Sequence, residues 1–280
     1  MILSTPSATL VPGGAWLLAA VACVLYLLSA LPQAWLRRMS PATLLGGFAL
    51  HGLLLLIDIG GFGQPEPGAR LGFGPVLSMT AWLVVAVYSV ESRLVPLPAV
   101  RVGLGITGAL AVLVAALFPG DLRVPSSALA PLHFALGVGS YGLFGAAVLH
   151  ALMLDAAERR LRSGGAGVAA AQPQPGRVAG LPLLHLERLT FHFVEAGFAV
   201  LTATLVLGVL NTVHWRWTDH KAVFSILAWC VFAALLVGRR QRGWRGRRAT
   251  RWVYAGASLL LLAYVGSRFV LEVLLGRATG

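Results

Sequence analysis

The sequence predicts an all-α membrane protein, a polytopic membrane helix bundle of about eight transmembrane helices with both termini outside. Three observations predict this class. Of the 280 residues, 58% are hydrophobic and only 11% are charged, whereas about 25% are charged in soluble domains. The mean hydropathy is +0.80. The apolar runs have about the 20 residues that a helix needs to cross a bilayer, without the alternation of barrel strands.

Eight apolar runs are the predicted transmembrane helices. They are residues 13–35, 41–60, 75–92, 99–118, 129–154, 189–211, 222–238 and 252–275. The first run has no basic segment before it, which predicts a retained anchor rather than a signal peptide. The segment LPLLHLERLTF is predicted to lead into the sixth helix as a short amphipathic stretch. Together the helices form a single membrane domain, residues 1–280, with a flexible cytoplasmic linker near 156–180 that is rich in Gly, Ala and Pro.

The basic residues predict the orientation of the bundle. If the N-terminus is outside, the inner connectors hold 16 of the 22 Lys and Arg, and the outer connectors and tail hold 5. Membrane proteins carry their excess of Lys and Arg on the cytoplasmic side, so both termini are predicted to be outside. The same rule accounts for the net charge of +12 without nucleic acid. The arginine clusters are instead expected to contact anionic membrane lipids.

Two glycine patterns and two cysteines have structural interpretations. The segments 103–108 and 137–142 both fit GxGxxG, but neither follows a strand, and a nucleotide site requires that context. Small residues in membrane helices let neighbouring helices approach closely, which is the predicted role here. Cys23 and Cys230 lie in apolar runs and form no CxxC pair, so no thiol redox site is indicated.

The histidines carry the functional hypothesis, because ionisable residues inside a membrane are functional candidates. His133 lies near the outer start of the fifth helix, and His220 ends the outer connector before the seventh. If these two helices pack together, the imidazoles can become the two axial ligands of a haem iron. His51, in the middle of the second helix, is a candidate for a second, intramembrane haem ligand, although no histidine lies at matching depth to pair with it.

The outer connector HWRWTDHK, residues 214–221, supplies the rest of the candidate site. Trp215 and Trp217 offer flat apolar surface for a porphyrin. Asp219 can accept a hydrogen bond from a ligating histidine and orient its ring. Arg268, near the outer side of the eighth helix, can pair with a haem propionate.

The same residues have competing interpretations. Tryptophans at the end of a span form the ordinary aromatic belt, and Asp219 can cap the seventh helix. Arg268 and Glu272 are four residues apart and can pair with each other. A divalent metal held by His214, Asp219 and His220 is a further alternative, although its spacing matches no strong zinc pattern.

Three segments resemble a known family. Residues 132–154, 181–208 and 220–272 resemble the cytochrome c assembly (CcsA/CcmC-like) membrane proteins, most closely their YpjD/HemX-like branch. The resemblance implies an eight-helix bundle that handles haem without catalysing a reaction, or as a component of a haem delivery or lyase system. In haem-handling members, a Trp-rich outer segment is flanked by helical histidines that hold haem.

The resemblance also assigns residues. His133 matches the first flanking histidine of the family, and His220 is the counterpart of the second. Trp215, Trp217 and Asp219 resemble a shortened form of the Trp-rich segment. The implied function is to present haem on the outer face of the bacterial cytoplasmic (inner) membrane for cytochrome c biogenesis.

Apocytochrome c, or a haem-biosynthesis or assembly protein, is the implied partner. Two alternatives remain open. One is a HemX-like regulatory or accessory membrane protein without bound haem, which would act through its basic inner loops. The other is a transporter of small solutes or ions, for which the ionisable residues are too scattered to trace a path across the membrane.

Overall fold

The computed structural model describes residues 13–31, 40–60, 68–92, 98–124, 127–163, 177–178, 181–211, 220–266 and 269–270. These residues form eight α-helices: α1 (Gly13–Ala30), α2 (Ser40–Gly60), α3 (Phe73–Glu91), α4 (Pro98–Leu117), α5 (Ala130–Ser163), α6 (Leu183–Asn211), α7 (His220–Arg242) and α8 (Gly246–Leu261). A π-helical segment, Leu262–Gly266, continues α8. Each predicted transmembrane helix therefore has a counterpart, and the all-α prediction is confirmed.

Six of the described helices are long and apolar enough to cross a membrane. These segments are Pro41–Ile59, Phe73–Glu91, Val100–Leu117, Ala130–Arg159, Leu183–Leu210 and His220–Arg242. A shorter apolar helix, Ala15–Ala30, precedes them, and α8 has 16 residues. The chain is therefore a multi-pass membrane protein, as predicted, whereas the outside location of the termini stays a prediction.

Several helices extend beyond their predicted ends, and among them α5 and α6 overlap the predicted linker and amphipathic stretch. Helix α5 continues to Ser163, which makes the first eight residues of the predicted linker helical. Arg162 supports this extension, since it pairs with Glu158 one turn earlier at 2.8 Å. The amphipathic stretch before the sixth helix is part of α6, which starts at Leu183. The middle of the predicted linker lies outside the described residues.

Two pairs of short antiparallel strands lie between the helices. Strand β1 (Ala69–Leu71) pairs antiparallel with β2 (Asp121–Arg123), and β3 (Arg177–Val178) pairs with β4 (Leu181–Pro182). Gly120 precedes β2 with a φ of 72°. A Cβ atom at this position would lie 2.6 Å from the backbone oxygen of Leu71, so the turn requires glycine.

The chain divides into two compact units. Unit 1 consists of Met1–Ser78 and Arg101–Arg123, and unit 2 consists of Met79–Val100 and Val124–Gly280. Unit 1 thus contains α1, α2, the start of α3, most of α4 and the β1–β2 strand pair. Unit 2 contains the rest of α3 and helices α5 to α8.

The core of unit 1 is built around Tyr26 of α1, whose side chain is fully buried. Its ring lies against two glycines, Gly47 of α2 and Gly108 of α4, where a Cβ atom would come within 3.0 Å and 2.8 Å of the ring. The glycines of α4 therefore allow close helix packing, as the sequence predicts. Gly103 is an exception, because a Cβ atom on it would meet nothing within 4 Å.

The core of unit 2 lies between α5, α6, α7 and α8. Its fully buried members include Phe144, Phe191, Phe232 and Leu235. The rings of Phe144 and Phe232 stack with centroids 3.8 Å apart, which joins α5 to α7. In a membrane this contact stabilises the bundle through van der Waals packing, because lipid tails are as apolar as the phenylalanine side chains.

Candidate functional site

The relative directions of the helices in unit 2 can be read from contacts on α8. Tyr141 of α5 donates a hydrogen bond to the backbone oxygen of Leu260. Further along α5, Asp155 accepts hydrogen bonds from Thr250 and Tyr254, both at 2.9 Å. Increasing residue numbers on α5 thus meet decreasing numbers on α8. The two helices are therefore antiparallel.

Helix α7 is also antiparallel to α8. Gly256 of α8 lies against Phe232, where a Cβ atom would come within 2.5 Å of the ring. Near the start of α7, the Lys221 ammonium group lies 5.7 Å from the ring centroid of Tyr264. Because both α5 and α7 run opposite to α8, they run parallel to each other.

This arrangement places the two predicted haem ligands at the same end of unit 2. Relative to the stacked pair of Phe144 and Phe232, His133 lies 11 residues earlier on α5 and His220 lies 12 residues earlier on α7. With a rise of 1.5 Å per residue, His133 lies roughly 16 Å and His220 roughly 18 Å from that pair along the helix axes, in the same direction. The two imidazoles are therefore carried to nearly equal heights on parallel helices.

The two histidines differ in their surroundings. His133 is half-buried, and its Nδ1 atom is buried without a hydrogen-bond partner in the described part of the chain. An unsatisfied buried ring nitrogen is unfavourable in a protein, so Nδ1 calls for a partner from outside the described residues, such as the group that orients a ligating histidine. His220 is the first residue of α7 and is exposed. Both residues carry the side-chain type that ligates haem iron.

The remaining predicted site residues fall outside the part of the chain that the structure describes. These residues are Trp215, Trp217, Asp219 and Arg268, together with His214 of the alternative metal site. Their roles stay predictions. Within the described ranges, no group of three His, Cys, Asp or Glu side chains could hold a metal ion.

One feature at this end of unit 2 is not predictable from hydropathy. The last described turns of α8 switch to a π-helix at Leu262–Gly266, which contains Tyr264. Single π-helical turns occur often at functional sites. Lys221, the residue after His220, lies over the Tyr264 ring. A cation is therefore next to His220 at the surface of this turn.

His51, the intramembrane histidine, belongs to a hydrogen-bonded network in unit 1. Its Nδ1 lies 3.1 Å from the Tyr26 hydroxyl, and its Nε2 lies 2.6 Å from the Ser78 hydroxyl. The side chain is 1% exposed. Both ring nitrogens are therefore engaged. The network connects α1, α2 and α3 and gives His51 a structural role in its unit.

A second buried histidine pairs with a carboxylate that sequence reasoning missed. In unit 2, His150 Nδ1 lies 2.8 Å from the backbone oxygen of Ala146, and His150 Nε2 lies 3.0 Å from Glu91 Oε2. The carbonyl oxygen only accepts, so Nδ1 carries a proton. A second proton must then lie between Nε2 and the carboxylate. The pair is 59 residues apart in sequence, so no local spacing reveals it.

This shared proton predicts different effects for two substitutions of Glu91. In Glu91→Ala, His150 Nε2 loses its partner, and the free energy of unfolding should fall by about 1–3 kcal/mol. In Glu91→Gln, the amide N–H can donate to neutral Nε2, and the loss should be much smaller. Thermal unfolding in detergent measures both. Arg162→Ala is the control, because Arg162 is exposed and its i,i+4 pair with Glu158 is worth only about 0.3–0.5 kcal/mol. An equal loss in the Gln and Ala variants would contradict the shared proton.

Known proteins resemble parts of this chain. The inner membrane protein YpjD of Escherichia coli K12 is 37% identical over 145 residues, which are 51% of this chain and 52% of the relative. The cytochrome c biogenesis protein CcsA of Gloeobacter violaceus is 31% identical over 92 residues, 31% of this chain and 27% of the relative. The matches with YpjD thus cover about half the length of that relative, and those with CcsA about a quarter.

A protein of Azospirillum brasilense is similar to the same extent as YpjD. This 28.8 kDa protein from a nifR3-like 5' region is 35% identical over 149 residues, 52% of each chain. No solved structure matches this chain. A family model described as cytochrome c assembly protein matches residues 73–275, which takes in α3 to α8 and more than half of the 280 residues. The chain therefore belongs to the cytochrome c assembly protein family.

Proposed function

We propose that this protein binds haem between His133 and His220 and presents it for cytochrome c biogenesis. The observation that carries the proposal is the position of these two imidazoles at one end of unit 2, on parallel helices and at nearly equal height. The unsatisfied buried Nδ1 of His133 adds support. Membership of the cytochrome c assembly protein family supports a role in cytochrome c biogenesis.

Haem is the cargo in this proposal, and the protein contributes ligands and surface rather than a chemical step. His133 and His220 would supply the axial nitrogens. Trp215 and Trp217 would cover a porphyrin face, Asp219 would orient a ligating ring, and a cation such as Arg268 would meet a propionate. Lys221 would add a second cation beside the exposed histidine. No covalent chemistry is assigned to the chain, so we propose that it is not an enzyme.

The proposed location is the bacterial inner membrane. The E. coli relative carries that location in its name, and six described helices have the length and composition of membrane spans. Haem bound at the His133 and His220 end would lie on the outer face if the predicted orientation holds. The proposed recipient is apocytochrome c or an assembly protein that accepts haem there.

A second candidate function is regulatory. In this alternative the protein keeps the family fold without haem and acts through a partner at its arginine-rich inner side. The observation that favours it is the turn between α7 and α8, where six arginines are exposed. Co-purification of a partner that depends on these arginines but not on His133 would support this alternative.

The experiment that tests the first proposal is an absorbance spectrum. The full chain is expressed in cells supplied with haem, purified in a neutral detergent, and measured oxidised and reduced. We expect a Soret band and the sharp reduced bands of low-spin haem with two nitrogen ligands. A chain that emerges folded but without haem from haem-replete cells would refute the proposal.

A further inference from the structure

We propose that the turn between α7 and α8 binds the phosphate group of an anionic membrane phospholipid. The turn lies at the opposite end of α7 from His220, so the inference does not rest on haem binding. Residues 239–251 contain seven arginines and no acidic residue. All of these arginines except Arg239 are exposed. The turn is therefore strongly cationic over a short length.

Backbone hydrogen bonds and the packing of one indole ring define the conformation of this turn. Gly243 adopts a φ of +63° and its N–H donates to the backbone oxygen of Arg239 at 3.1 Å, which ends α7 with a left-handed glycine. The N–H of Trp244 donates to the backbone oxygen of Gly238 at 3.3 Å. The indole lies so close to Gly238 that a Cβ atom there would come within 2.5 Å of the ring. The arginines are thus presented by an ordered scaffold.

Two buried donors at this turn have no acceptor among the described residues. They are Nε1 of Trp244 and Nη1 of Arg239. Trp244 is only 8% exposed, so its indole N–H is not simply left to solvent. The Arg239 guanidinium lies 3.5 Å from the ring centroid of Phe191, which holds it against α6. Buried donors without partners are rare in folded proteins and call for an explanation.

The nearby carboxylates do not supply the missing acceptor. Glu187 lies 3.6 Å from Arg245 and thus pairs with another arginine. Glu158 lies against Gly246, where a Cβ atom would be 2.8 Å from its oxygen, so the start of α8 already faces an anion. Glu195 and Glu187 both attract the Arg239 guanidinium electrostatically, yet Nη1 makes no hydrogen bond within the described residues. The acceptor must therefore come from outside the described residues.

A phospholipid phosphate fits this requirement. The turn ends the membrane-spanning segment His220–Arg242, so it lies at the level of the headgroups. Basic pockets between membrane helices bind anionic headgroups, and guanidinium groups pair well with phosphate oxygens. Arg248 covers the site, with its guanidinium 4.4 Å from the Trp244 ring centroid. Because Arg248 is exposed, its side chain can move to join a bound phosphate.

The test compares two Trp→Phe substitutions, each of which removes one indole N–H and keeps an aromatic ring. Trp244→Phe removes the donor without a partner. Trp229→Phe is the matched control, because Trp229 Nε1 already donates to the Thr202 hydroxyl at 2.9 Å. The full chain in neutral detergent is titrated with phosphatidylglycerol or with phosphatidylcholine. Native mass spectrometry measures bound lipid, and thermal unfolding measures the lipid-dependent stabilisation.

We expect each of the two variants to lose a different property. Trp244→Phe should weaken phosphatidylglycerol binding about tenfold or more, the size of one hydrogen bond to a charged group. Any fall in its unfolding temperature without anionic lipid should come from lost ring packing, because the N–H that is removed has no partner. Trp229→Phe should unfold at a lower temperature and keep its affinity for phosphatidylglycerol. Arg239→Gln should also bind phosphatidylglycerol more weakly. It replaces Trp244→Phe as the test variant if Trp244→Phe does not fold.

Three results would overturn the proposal. The first is full phosphatidylglycerol affinity in both Trp244→Phe and Arg239→Gln. The second is equal binding of phosphatidylglycerol and phosphatidylcholine by the unchanged protein, since the site requires a net anionic headgroup. The third is the same stabilisation from millimolar inorganic phosphate without lipid, which would make free phosphate the ligand.

Discussion

Replacing His133 or His220 by alanine is expected to abolish the low-spin haem spectrum of the purified protein. Each substitution removes one of the two proposed axial nitrogens, and the iron should become five-coordinate or be lost. Haem affinity should fall by more than about tenfold, since even the residues that orient a metal ligand are worth about 10–100-fold. Absorbance of equal amounts of protein, before and after reduction, measures both the retained haem and its coordination.

The controls for this experiment lie on another helix of the same unit. His185 and His192 are exposed residues of α6, close to the end that carries the arginine-rich turn. Their alanine variants should keep the wild-type spectrum. His220→Met gives a stronger test, because a thioether can replace the imidazole and raise the haem potential instead of removing haem. Loss of the spectrum in His192→Ala, with retention in His133→Ala, would contradict the ligand assignment.

The number and order of the helices could be predicted because a membrane imposes one strong rule. A helix needs about 20 apolar residues to cross the hydrocarbon layer, and eight such runs are visible in the sequence. Helix ends are harder to predict where a helix continues into water. The part of α5 beyond residue 154 carries Glu158 and Arg162, which stabilise a solvated helix through their i,i+4 pair. Hydropathy treats those residues as a connector.

The candidate site was only partly predictable, for a related reason. Sequence position can place His133 and His220 near the ends of two helices. Whether those two helices pack together depends on contacts between residues distant in sequence, and in the structure the stacking of Phe144 on Phe232 shows that they do. The hydrogen-bond partners of a histidine ring also come from residues that are distant in sequence. His51 was open to a ligand role from sequence, but in the structure Tyr26 and Ser78 occupy both of its nitrogens.

Gly105→Ala is expected to be strongly destabilising in unit 1. A Cβ atom on Gly105 would lie 2.7 Å from the backbone oxygen of Tyr26 and 2.5 Å from the Ser29 hydroxyl. A backbone atom cannot swing aside as a side chain can, so α1 would have to move away from α4. Overpacking of this kind costs about 1–3 kcal/mol. Thermal unfolding of the purified protein in detergent measures the loss.

The decisive control is two residues away on the same helix. A Cβ atom on Gly103 would meet nothing within 4 Å, and alanine is favoured over glycine inside a helix by about 1 kcal/mol. Gly103→Ala should therefore leave the unfolding temperature unchanged or raise it, whereas Gly105→Ala lowers it. Both glycines belong to the same GxGxxG match, so opposite signs distinguish close helix packing from a nucleotide loop, in which both would be required. Equal losses in the two variants would contradict the packing of α4 against α1.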